Sequence, residues 1–134
     1  MNKVPIPEKM EKFYGAGTML HPDSDTVEDL LTKIPEGNVA TVELLCQKMA
    51  SDHGTNVTCP MRTGNIIKVL AESSLDAKRD IPFWRVIRNN HLLINSELTE
   101  FCSSKLEQEG WALEQTPKGD YKLLDADAGL HKFN

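Results

Sequence analysis

Residues 41–74 read TVELLCQKMASDHGTNVTCPMRTGNIIKVLAESS. Val42, Leu45, Cys46 and Met49 repeat at helical spacing after Thr41, a capping residue, and Gly54 supplies a stop. A second periodic run follows. Thr58 is placed to cap it, Pro60 suits its first turn because the missing N–H had no partner there, and Ile66, Ile67, Leu70 and Ala71 form its buried side. Gly64 inside that run costs up to ~1 kcal/mol against alanine and implies a close approach by another backbone. Two amphipathic helices in succession predict a helix-turn-helix, with a linker, roughly residues 51–58, longer than the tight turn of the DNA-reading motif.

Working outward, residues 21–38 hold another helix, with Val27, Leu30, Leu31 and Ile34 on one stripe, Asp25 and Glu28 as a capping pair, and Pro35 and Gly37 as terminators. After Pro82, WRVIR and HLLI flank Asn89-Asn90, which predicts a two-residue hairpin loop, since asparagine tolerates positive φ. A hairpin after a helix-turn-helix is a wing. Residues 96–110 predict a further helix with Leu98, Phe101, Cys102 and Leu106 inward and Gly110 closing it, and residues 111–125 a second hairpin. The last nine residues, ADAGLHKFN, are expected to fray.

At 134 residues the chain is one domain's worth, with 40% hydrophobic and 26% charged residues, as in soluble globular proteins. No apolar run approaches the ~20 residues of a membrane helix, and residues 1–17 lack the apolar stretch of a signal peptide, so a cytoplasmic protein is expected. Three cysteines without close pairs make no disulfide framework. Cys46, His53 and Cys59 lack the Cys-x-x-Cys spacing of a zinc knuckle, so no metal or other cofactor is expected. The net charge is −5, but residues 60–92 hold Arg62, Lys68, Lys78, Arg79, Arg85 and Arg88 against Glu72, Asp76 and Asp80. Only this middle third can face a polyanion, and mixed-sign solvated surface is the alternative.

The order of parts is specific. IPEGNVAT before a helix, an arginine at the start of the next, the turn Pro82-Phe83-Trp84-Arg85-Val86-Ile87 and a later helix ending LEQEG together resemble the O6-alkylguanine-DNA alkyltransferases and their non-enzymatic alkyltransferase-like relatives. The resemblance covers about residues 25–113. It divides the chain into an N-terminal extension (1–24), a helix-rich α/β winged helix-turn-helix domain (25–113) and a C-terminal hairpin and tail (114–134). In that family the turn is Pro-Cys-His-Arg: cysteine accepts the alkyl group, and histidine activates it through a relay ending in a glutamate. Here Phe83 stands for the nucleophile and Trp84 for the base. A phenyl ring accepts no alkyl group and an indole N–H only donates. Glu109 matches the relay glutamate and is left with nothing to orient.

The resemblance therefore implies a protein that is not an enzyme but binds double-stranded DNA, with O6-alkylguanine as the lesion read and a repair protein as partner. Arg62 matches the arginine that the family inserts into the base stack, and Lys68, Arg85 and Arg88 are phosphate candidates; for Arg85 an internal brace, bonding carbonyls around the turn, is the favoured alternative. Val42 replaces a family tyrosine that contacts phosphate, and the expected pocket-wall loop, LINSELTE, lacks the family's glycine and tyrosine. Phe83 and Trp84 either pack as core, the commoner fate of such residues, or offer a stacking face to a base. Two rival readings remain: a protein-interaction module that has lost DNA binding, and an alkyltransferase using Cys59 or Cys102.

Overall fold

The structure, a computed structural model, describes residues 2–76, 80–93 and 98–133. Helix α3 (Val42–His53) and helix α4 (Pro60–Asp76) form the predicted helix-turn-helix, with α2 (Ser24–Thr32) packed against α4 and α5 (Thr99–Gln108) against the turn at residues 83–85. Small strands bind these helices together, giving a helix-rich α/β fold. Among the described residues no helix is long and apolar enough to cross a membrane.

The long linker between α3 and α4 has a structural cause. It holds strand β4 (Val57–Thr58), which pairs in parallel with β2 (Thr18–His21); β2 in turn pairs antiparallel with β1 (Asn2–Pro5). The N-terminal strands therefore brace the helix-turn-helix, and Met19 and Leu20 are buried beneath them. Thr58 is consequently not the expected cap. It is buried, and its hydroxyl donates to the Cys46 carbonyl at 2.8 Å. Thr41 caps α3 as expected, accepting from Leu44 N at 3.2 Å, and Gly54 ends it in the left-handed region at φ 70°. On α2 the cap is Asp23 rather than Asp25: its carboxylate accepts from Thr26 N at 2.9 Å, the reach of a side chain three residues before its donor.

Strand β3 (Ala40–Thr41) pairs in parallel with β5 (Val86–Ile87), placing the wing beside the start of α3. The wing turn differs from expectation. His91 N donates to Arg88 O at 2.8 Å and His91 alone takes positive φ, 70°. This is a three-residue loop closed by a left-handed residue, so neither asparagine needs positive φ. Strands β6 (Leu113–Gln115) and β7 (Tyr121–Leu123) form the second hairpin.

The C-terminal tail does not fray. Val39 N donates to Gly129 O at 3.0 Å and His131 N to Val39 O at 2.8 Å, while Ala126 is buried. Val39 offers an unpaired edge beside β3, and the tail completes it. The core runs from Leu20 through Val27, Leu31, Leu45, Met49 and Ile67 to Phe83, Ile87, Cys102 and Leu106. Phe83 heads the fully buried side chains by volume.

Candidate nucleic-acid interface

Pro82 leads into a single 3-10 turn, Phe83–Arg85, closed by Arg85 N donating to Pro82 O at 3.2 Å. Phe83 stacks on Phe101 with centroids 5.6 Å apart and planes at 12°, and Trp84 meets both edge-on. Phe83 has no exposed surface and Trp84 is 8% exposed. The two rings are core, and neither presents an open face to a base.

Glu109, at the end of α5, orders this turn. Its carboxylate accepts the Trp84 indole N–H at 2.9 Å, Arg85 Nε at 3.0 and 3.1 Å, Arg85 Nη2 at 2.8 Å and Gly37 N at 3.4 Å. The expectation that Glu109 has nothing to orient is therefore wrong, because an indole N–H donates to a carboxylate as an imidazole N–H does. Burial pushes the Glu109 carboxyl up, but the hydrogen bonds from Arg85, Trp84 and Gly37 and the Arg85 charge outweigh it and hold it below the ordinary glutamate range. Arg85 also donates from Nη1 to the Ile34 carbonyl at 2.8 Å, and its side chain is only 15% exposed. It stands as the internal brace, with the nearby carboxylate and carbonyl satisfying its donors.

Neither Cys46 nor Cys102 is activated as a nucleophile. Burial pushes the Cys102 thiol up to about 12 and, with the Thr63 hydroxyl opposing it, the Cys46 thiol up to about 11, the reverse of activation. Cys59 is half-buried just before α4. Among the described residues no three His, Cys, Asp or Glu side chains converge as a metal site would require.

The remaining cations lie elsewhere on the surface. Lys68 of α4 and Arg88 of the wing line one shallow groove with Val42, Pro60, Met61, Gly64, Asn65 and Ile67. Arg62 is exposed on the first turn of α4, three residues before Asn65 and so on the same helical face. Among the described residues none of Arg62, Lys68 and Arg88 has an ion-pair partner. Lys78 and Arg79 fall outside the described residues, as do residues 94–97 of the expected pocket-wall loop.

Two features escaped sequence reasoning. Asn89 Oδ1 accepts from Glu43 N at 3.0 Å, so the wing turn satisfies one of the orphan donors at the start of α3 and is tied to that helix. A polar residue at a loop tip gives no sign of so distant a partner. Gly64 has no neighbour within 4 Å of where a Cβ would stand. Among the described residues no backbone approaches it, and the helix is bare there on its groove side.

No family model matches the chain, and no curated protein does. Two solved structures match: S. pombe Atl1 in complex with damaged DNA containing O6-carboxymethylguanine, and S. pombe ATL in complex with DNA. Each is 24% identical, with a TM-score of 0.61 over 82% of this chain and 94% of the other. The chain has the fold of these alkyltransferase-like proteins.

Proposed function

We propose that this chain is a non-enzymatic, alkyltransferase-like DNA-binding protein that grips duplex DNA with α4 and the wing and marks O6-alkylated guanine for repair. The observation that carries the reading is the groove itself. Lys68 and Arg88 line it, neither with an ion-pair partner among the described residues, Arg62 is exposed on α4 one turn from Asn65 of its wall, and Gly64 has no neighbour among the described residues where a Cβ would stand. An unpaired guanidinium on a helix face can stack in a gap left by an extruded base and donate to the orphaned partner. Alkyl transfer has no chemistry to draw on, because a fully buried phenyl ring fills the acceptor position and an indole the base position. The S. pombe relative in complex with O6-carboxymethylguanine DNA supports the choice of lesion.

The test is binding to matched duplexes with and without O6-methylguanine. Arg62→Ala should weaken both by about tenfold, the loss of one charge-assisted contact of ~1.4 kcal/mol. Unchanged binding would remove Arg62 from the interface. A protein–methyl adduct, read by mass spectrometry, would overturn the non-enzymatic reading. The net charge of −5 and the changed pocket-wall loop support the rival interaction module, and absence of binding at about 50 mM salt would favour it, since electrostatic affinity is high there.

A further inference from the structure

The loop between β1 and β2, residues 6–17, is held firmly yet buries almost nothing. Ile6 N donates to Gly17 O at 2.9 Å and closes it, and Ile6 is its one buried residue. Asn56, in the stretch between α3 and α4, accepts from Thr18 N at 2.9 Å and donates from its own N to Thr18 O at 3.1 Å. Gly17 lies so close that a Cβ there would run into the Asn56 amide. The loop's short helix α1 (Glu11–Tyr14) has no buried residue; Phe13 is 72% exposed and Tyr14 42%. Rings displayed on a rigid loop at no gain to the core mark a surface meant for something outside the chain.

The position of the loop says what that is. Tyr14 overhangs a groove lined by Val42, Glu43, Pro60 and Asn89, and Val42 and Pro60 also line the groove of Lys68 and Arg88. The two grooves share a wall, so a strand crossing one continues toward the other. Lys12 Nζ lies 5.0 Å from the Phe13 ring centroid, an ammonium beside an apolar plate. That pairing suits a sugar–phosphate strand, with the ammonium on a phosphate and the ring against a sugar. Glu43, which accepts from Gln47 Nε2 at 3.4 Å, lines the same groove, and its carboxylate disfavours a phosphate there.

We infer that the N-terminal loop is a second DNA contact, in which Lys12 and Phe13 hold the strand as it leaves the α4 groove. The inference rests on the DNA-binding reading above. The test is fluorescence anisotropy of the full chain on duplexes of about 10 base pairs, one helical turn, and about 20. Lys12→Gln should weaken binding to the longer duplex roughly threefold to tenfold and reduce its salt slope by about 0.9, the value of one phosphate. Phe13→Ser should weaken it with the slope unchanged. Neither should alter binding to the shorter duplex, whereas Arg62→Ala should weaken both. Wild-type binding by Lys12→Gln and Phe13→Ser while Arg62→Ala is impaired would overturn the loop contact and leave the α4 reading standing. Wild-type binding by Arg62→Ala, Lys68→Ala and Arg88→Ala alike, or capture of a basic peptide by the loop in place of DNA, would overturn it as well. Unchanged thermal unfolding of both loop variants shows that the fold is intact, as their exposure requires.

Discussion

At Glu109 one carboxylate accepts from donors in two separate stretches, Gly37 and the Trp84–Arg85 turn, and Arg85 in turn donates to the Ile34 carbonyl. Its side chain is 5% exposed and that of Arg85 15%. Glu109→Gln leaves a largely buried guanidinium without its counter-charge. It should cost about 3 kcal/mol in urea unfolding at neutral pH, the low end for breaking a buried pair. The pH dependence has a definite sign. The folded Glu109 titrates below its unfolded value of about 4.3, so its stabilisation is complete above that pH and is lost as pH falls through the lower folded value. The stability gap between wild type and Glu109→Gln should therefore be flat from neutral pH to about 5 and close on further acidification. A gap that widened in acid would contradict the assignment.

Among the elements, α4 carries an internal conflict. Gly64 weakens the helix, and no atom of the described residues fills the space it leaves. Gly64→Ala should stabilise the protein by roughly 0.5–1 kcal/mol, seen as a raised Tm. The same methyl group projects into the groove of Lys68 and Arg88, so duplex binding should weaken. A variant more stable and equally good at binding would place DNA away from this helix face. On α2, Asp23→Ala should cost about 1 kcal/mol through the lost cap, while Asp25→Ala should cost little.

For the whole molecule, the tail and the field matter most. Truncation after Asp125 removes the Gly129 and His131 bonds to Val39 and the Asn38 Nδ2 bond to Gly129 O. At about 1 kcal/mol net for each bond it should cost about 3 kcal/mol, where a frayed end would cost nothing. Binding to DNA should fall as salt rises despite the overall charge of −5, because contacts are made locally. Three phosphates, at Arg62, Lys68 and Arg88, give a slope near −2.7, or about fortyfold between 50 and 200 mM salt, and a fourth at Lys12 steepens it by about 0.9. A flat titration would remove the electrostatic basis of the proposed function.

The sequence by itself determined the helices, the wing and the two adjacent rings of the turn after Pro82. Apolar spacing, Thr41, Gly54 and the residues at 82–85 act within a few positions of one another, and local signals survive in one dimension. Only tertiary structure decided where polar groups found their partners. Glu109 reaches Trp84 and Arg85 across 25 and 24 residues, Asn89 reaches Glu43 across 46, and Asn38 reaches Gly129 across 91. A side chain's donors and acceptors do not name their partner; the packing of the chain does, and that packing turned Arg85 inward and left Arg62, Lys68 and Arg88 facing out.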